Sequence, residues 1–451
     1  MTVLVLNGCH VVTMNAGRDE HPRGYVAIDG NRIAGAGPLP VPGSLAGARQ
    51  LDASGCLATP GLINTHHHLY QWATRGRAVD STLFDWLTEL YPVWARIDEQ
   101  IVSAAATAAL AWLARTGCTT TMDHHYVFPA RGGDLLAATV EAAREVGLRF
   151  HPTRGSMDLG ASAGGLPPDD VVEDRDAIMA ATQAAIDKFH DPAPDSMLRI
   201  GVAPCSPFSV TRELLADAAE LARTNGVRLH THIAETADEG DFCAEKFGCT
   251  PVEYLDSLGW LGRDVWLAHA VHLDDQAIAR LAGTGTGVAH CPTSNARLGS
   301  GICRTRALLD AGVPVGLGVD GAASNEENSL LAEVKGAVLF ARQAGGPLAM
   351  GVRKALELGT LGGARLLGRA DEIGSLEAGK LADVALWRLD TLPHADIADP
   401  VAALVLGSAP PLELLLVNGR TVVAHDRVLT VDEQQAAAAA RAASRTLAEQ
   451  A

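Results

Sequence analysis

Over the middle of the chain short apolar runs alternate with longer stretches of helical period. Between residues 57 and 365 eight runs read as strands, centred on LINTHHH, TTTMDHH, LRFHPTR, LRIGVAP, VRLHTHIAE, VWLAHAVH, GVAHCPTS and VPVGLGVDG. Most are separated by segments with apolar residues three and four apart, such as IVSAAATAALAWLART and RELLADAAELARTNG. That spacing gives a helix one face to bury. Eight strand–helix alternations predict an α/β fold, a (β/α)8 barrel of the TIM type, over an open sheet.

The two ends follow a different pattern. Residues 1–56 carry the short β-type runs VLVLNGCHVVTM and GYVAIDGNRIAGAG, then RQLDASGCLATPG. ADVALWRL and LELLLVNGRTVVAHDRVLT repeat this style within 366–431, with Asn-Gly at 418–419 as a hairpin turn. The two ends are therefore expected to pair in one small β-sandwich domain, 1–56 with 366–431, beside a barrel spanning 57–365. Residues 432–451 are Ala-rich and predict a terminal helix.

Composition narrows the partners. Thirty-six basic residues against 53 acidic ones give a net charge of −17, which repels nucleic acid and anionic membrane surfaces. No apolar run approaches the 18 residues or so of a spanning helix, and the first stretch lacks the basic region of a secretory leader. Eight scattered cysteines contain no Cys-x-x-Cys pair and read as reduced thiols. A cytoplasmic protein with a small-molecule substrate is expected.

Histidine is the unusual feature: there are 16, against five tyrosines, and 12 lie between His66 and His290. Most fall at the ends of candidate strands, where barrel enzymes build their sites. In Thr65-His66-His67-His68 the alternation of a strand puts residues 66 and 68 on one face, able to grip one ion, and turns residue 67 away. Strand five offers His232 and, three residues on, Glu235; strand six offers His269; strand eight offers Asp320. Imidazoles with one carboxylate suit zinc or ferrous iron. Glu235, beside a ligand but poorly placed to be one, is the natural proton carrier. Gly160-Ala161-Ser162-Ala163-Gly164 matches the serine-hydrolase string but lies in a Gly- and Pro-rich loop, without the strand and helix that motif needs.

PGLINTHHH, HTHIAE, LAHAVHL, HCPTSN and GLGVDGAASN, in this order, resemble the amidohydrolase superfamily in its branch of heterocycle deaminases and triazine hydrolases. NTHHHLYQ, LFDWL, LYPVWA, DHHYVFP and RGSM are similar to the wording of the 8-oxoguanine deaminases, and the likeness continues through GSLEAGKLADV. The resemblance implies that His66, His68, His232 and Asp320 ligate one divalent ion, zinc in preference to iron. It implies that His269 orients a metal-bound hydroxide and that Glu235 carries the proton. Members with two ions use a lysine on strand four; Ala203-Pro204-Cys205 stands there, so one ion is expected. By the same likeness Gln71, His125, Arg154, Cys205 and Asn295 are substrate contacts, and Trp72 or Trp94 could stack on a ring.

The reaction implied is hydrolytic deamination of an amino-substituted aromatic heterocycle, by a hydrolase of C–N bonds other than peptide bonds, in a homo-oligomer. WATRGRAVDS and GAASNEENS depart from the 8-oxoguanine deaminase pattern at loops expected to border the pocket. Two other reactions fit the same ligand set: displacement of chloride or amine from a triazine, and loss of water to close an aromatic ring.

Overall fold

The computed structural model describes residues 3–450. Their amino-terminal segment forms β1 (Leu4–Val12), β2 (Glu20–Asp29), β3 (Arg32–Pro38), β4 (Arg49–Asp52) and β5 (Cys56–Pro60). The eight central runs then become β6 (Leu62–Asn64), β7 (Cys118–His125), β8 (Arg149–Ser156), β9 (Gly201–Pro204), β10 (Arg228–Ile233), β11 (Val265–His269), β12 (Gly287–His290) and β13 (Val315–Leu317). These eight are parallel and close into a barrel, β13 returning to β6. The predicted (β/α)8 barrel is thus the observed one, strand for strand.

β14 (Val384–Arg388), β15 (Leu412–Val417), β16 (Arg420–Ala424) and β17 (Arg427–Val428) complete a nine-stranded sheet built from both ends of the chain. The seam is the antiparallel pair β5–β14, running from Val384 opposite Pro60 to Arg388 opposite Cys56. Residues Leu57–Pro60, expected at the start of the barrel, therefore belong to the sheet. β5 pairs with β1 and β14 before the chain turns at Gly61 into the barrel. The turn at Asn418-Gly419 has positive φ at both residues (51° and 75°), the conformation a tight hairpin needs and a reason for that pair. The terminal helix covers Glu433–Gln450 and packs against the helix Glu99–Arg115.

Two buried contacts lock sheet to barrel. Trp387 of β14 is anchored within the sheet by its indole N–H on Thr59 Oγ1 (2.9 Å), and its ring reaches the barrel, filling the space at Gly117, where a Cβ would meet the indole at 2.0 Å. Gly117 also has φ of +89°, so no other residue fits there without strain. At the opening of β8 the fully buried Arg149 guanidinium pairs with Asp383 through Nε (3.3 Å) and Nη2 (3.2 Å), and donates to Ser196 O at 2.6 Å. Asp383 also accepts the Asn418 amide at 2.7 Å.

Removing one partner of such a pair strands a charge out of water. Asp383→Asn is expected to cost about 3–5 kcal/mol and to lower Tm by several degrees. Asp310→Asn, which opens the exposed Arg306–Asp310 pair, should move Tm by no more than about one degree. Equal shifts in thermal unfolding would remove the buried pair as a determinant of stability.

Candidate metal centre and active site

The carboxyl ends of the barrel strands gather most of the histidines. Regular pairing of β6 stops at Asn64, yet the chain stays tethered. His66 O accepts from Asp320 N (3.0 Å), and His67 O accepts from His124 N (2.7 Å). Strand-like alternation therefore continues past the strand, sending His66 and His68 inward. His67 turns away and meets Asn328 Oδ1 through Nε2 at 2.9 Å. Other strand ends are bent sharply: Ala234 after β10, His269 and Ala270 at the end of β11, and Asp320 after β13 all have positive φ, between 48° and 69°. Such conformations cost about 1–3 kcal/mol each and concentrate at functional sites.

Hydrogen bonds around the rings decide which nitrogens carry protons. A carbonyl can only accept, so His68 Nδ1–H donates to His124 O (2.6 Å) and His232 Nδ1–H donates to Cys205 O (2.7 Å). Their Nε2 atoms then face each other at 3.1 Å. Asp320 Oδ1 lies 3.3 Å from both His66 Nε2 and His68 Nε2, and His66 Nε2 is buried without a hydrogen-bond partner. Burial, above all, holds His66 and His232 well below the ordinary imidazole range, so the rings are neutral donors. Electron pairs crowded in a dry site repel unless a cation joins them, and three imidazoles with one carboxylate suit a divalent transition ion such as zinc or ferrous iron.

Further ionisable groups stand beside this cluster. His269 Nδ1–H donates to Asn295 Oδ1 at 2.9 Å, which leaves Nε2 free, 3.5 Å from Glu235 Oε2 and 4.0 Å from Asp320 Oδ2. The buried Glu239 carboxylate accepts the backbone amides of Ala234 (2.8 Å) and Glu235 (3.1 Å), fixing the bend that carries Glu235. Burial, with Asp320 and Glu239 nearby, pushes the Glu235 carboxyl well above its usual range. Asp320 Oδ2 accepts from Ser294 (2.5 Å) and Ser324 (3.1 Å).

The model of the amidohydrolase family matches residues 57–422. The chain belongs to the amidohydrolase family. It is 46% identical over 430 residues, 94% of each chain, to an 8-oxoguanine deaminase from Pseudomonas aeruginosa. To an isoxanthopterin deaminase from an unknown prokaryotic organism it is 36% identical, over 99% of this chain and 97% of that one. The crystal structure of an atrazine chlorohydrolase from Arthrobacter aurescens TC1 complexed with zinc superposes with a TM-score of 0.93 at 34% identity, covering 98% of this chain and 100% of the other.

In this amidohydrolase the cavity above the cluster is bordered by His68, His232, Glu235, His269 and Asp320. Of the five expected substrate contacts it brings in Gln71 and Cys205. Both polar atoms of the buried Gln71 carboxamide lack partners. The other three lie elsewhere. His125 is one step out of phase on β7, against Tyr70 and Phe128 with its Nε2–H on Val127 O (2.9 Å), so the inward residue is His124. Arg154 is held by Glu173 at 2.6 and 2.9 Å, over the ring of Phe128. Asn295 orients His269 instead of bordering the cavity.

The expected stacking residues also fall outside. Trp94 is buried in the core with its indole N–H on Thr74 Oγ1 (3.2 Å), and Trp72 lies under Arg75 in a surface groove. Trp86, Tyr91 and Phe208 border the cavity in their place. Sequence reasoning left His124 unassigned. Its Nε2–H donates to Ala203 O (2.9 Å), its Nδ1 has no partner, and it stacks on His232 at a 4.7 Å separation. The alternation that selected 66 and 68, applied to the HH pair of β7, was the available signal.

A cation joining these lone pairs stabilises the folded state by mass action, about 2.7 kcal/mol when free metal is a hundredfold above Kd. Stripping the protein with a chelator should lower Tm by a few degrees, and stoichiometric zinc should restore it. An unchanged Tm across that cycle, with metal analysis confirming removal and return, would count against the cluster as a metal centre.

Proposed function

We propose that the chain hydrolytically deaminates an uncharged, amino-substituted aromatic heterocycle of the oxopurine or pterin kind, using one divalent ion, zinc, held by His66, His68, His232 and Asp320. The observation that carries this reading is the meeting of that donor set with Glu235 and His269 at one cavity. The 8-oxoguanine and isoxanthopterin deaminases at 46% and 36% identity support the substrate class. When bound, such an ion lowers the pKa of water at the site from about 15.7 toward 7 and polarises the carbon under attack.

The chain's own residues do the rest. Glu235 carries one proton of the attacking water to the ring nitrogen, and then the second, from the hydroxyl on the tetrahedral carbon, to the leaving amine as the carbonyl forms and ammonia departs. His269, with Nδ1–H spent on Asn295, presents Nε2 to the water and keeps it aimed at the ring. Gln71 reads the polar edge of the heterocycle, while Trp86 and Phe208 exclude water from its faces. Cys205 forms part of the wall, its buried thiol pushed up to about 12 and therefore inert. The eight unpaired cysteines suit a reducing, cytoplasmic setting, and among the described residues no helix is long and apolar enough to cross a membrane. The expected homo-oligomer belongs to the same proposal.

A second reading, displacement of a substituent from a triazine, is favoured by the 34% identical atrazine chlorohydrolase. Ammonia and chloride release over 8-oxoguanine, guanine, isoxanthopterin, pterin and chlorinated and aminated triazines separates the two. Ammonia from an oxopurine or pterin is expected, and chloride alone would replace deamination by the second reading. Glu235→Gln should lower kcat by about 10²–10⁴ with metal content unchanged. Turnover within a few-fold of the parent would overturn the role given to Glu235.

A further inference from the structure

His230 lies on β10 two residues before His232, wholly buried, and no sequence pattern gives it a task. It touches two groups through its ring nitrogens, and both contacts can be assigned a direction. Nδ1 is 2.8 Å from Trp266 O. A carbonyl only accepts, so Nδ1 carries a hydrogen. The ring stacks on the Trp266 indole at 4.6 Å and, among the described residues, has no hydrogen bond or ion pair to a carboxylate, so a buried imidazolium there would lack a counter-charge. The neutral ring has one hydrogen, already placed, and its Nε2 is a lone pair. That lone pair lies 2.8 Å from His66 Nδ1.

We infer that His230 is a positioning residue: it accepts the His66 Nδ1–H and thereby holds His66 in the tautomer whose Nε2 lone pair faces the divalent ion. His68 and His232 fix the same tautomer by donating directly to the carbonyls of His124 and Cys205. His66 reaches its carbonyl through a second imidazole, in the series His66 Nδ1–H, His230, Trp266 O. Trp266 closes the arrangement from the other side, since its indole N–H donates to Thr65 O at 2.9 Å, next to His66 in the chain. One residue thus steadies both the backbone before His66 and, through His230, its ring. This inference rests on His66 being a ligand, as proposed above, and adds a function for a histidine that touches neither ion nor substrate. Groups that orient metal-bound imidazoles commonly change metal affinity 10–100-fold when replaced.

Glutamine and asparagine separate the two ends of the relay. A glutamine carboxamide oxygen reaches the place of Nε2 and keeps an acceptor for His66, whereas an asparagine amide reaches the place of Nδ1 and keeps only the donor to Trp266 O. Zinc affinity is measured by chelator competition on the stripped full-length chain, with thermal unfolding of each metal-free variant to confirm folding. His230→Asn should bind zinc about 10–100-fold more weakly than the parent, and His230→Gln within a few-fold of it. Parental affinity in His230→Asn, or equal losses in both, would overturn the relay.

His66→Gln serves as the control on the ligand reading. If it binds as tightly as the parent, that reading fails; if it loses affinity while His230→Asn does not, only the relay fails. Should His230→Asn not fold, ¹⁵N-histidine spectra of the metal-free parent decide. The ring signal lost in His66→Gln should show hydrogen on Nδ1, and hydrogen on Nε2 would overturn the relay.

Discussion

Three imidazoles and a carboxylate turn electron pairs toward one buried point, and much of the upper barrel exists to hold them there. The Nε2 atoms of His68 and His232 face each other at 3.1 Å, and neither ring is free to turn. Backbone carbonyls hold the opposite nitrogen of each ring. Asp320 is held by two hydroxyls and a backbone amide. A dry pocket makes each of these bonds stronger and each unmet lone pair more costly, so a cation joining the lone pairs would stabilise the set.

The rigidity needed for such a cluster comes from elsewhere in the molecule. Reaction geometry tolerates errors of only about half an ångström, and loops alone do not supply that. Here the positive-φ bends at Ala234, His269 and Asp320 follow directly on parallel strands. The opposite end of the barrel is tied to the terminal sheet by Arg149–Asp383 and by Trp387 at Gly117. Glu239 performs a local version of the same task, spending a buried carboxylate on two backbone amides to place Glu235.

The cavity itself is one-sided. The helix Leu83–Trp94 contributes Leu83, Trp86, Leu87 and Tyr91 to its wall, at the spacing of one helical face, while the metal cluster forms the floor. Among the described residues no lysine or arginine borders it, and Arg154, which could have offered a positive charge, is neutralised by Glu173. Such a chamber suits an uncharged planar guest better than a phosphorylated or carboxylated one, in keeping with the oxopurine or pterin substrate proposed.

The period of the hydrophobic pattern was enough to place all eight barrel strands and the terminal sheet, because strand and helix faces must be buried and burial is written in the spacing of apolar residues. Family motifs, joined to strand alternation, nominated His66, His68, His232, Glu235, His269 and Asp320, and the folded chain brings these six side chains together at one end of the barrel. Tertiary structure decided what spacing cannot carry. His124 rather than His125 faces inward because the register of β7 against its neighbours sets the phase, and a shift of one residue reverses it. Arg154 is withdrawn from the pocket by Glu173, Trp86 stands where Trp72 and Trp94 were expected, and Asn295 orients a histidine in place of a substrate. The proton on His66 is set by a carbonyl 200 residues away in sequence, at Trp266. Chain direction fixes which side chains can reach the barrel mouth, but only the closed barrel fixes which of them touch.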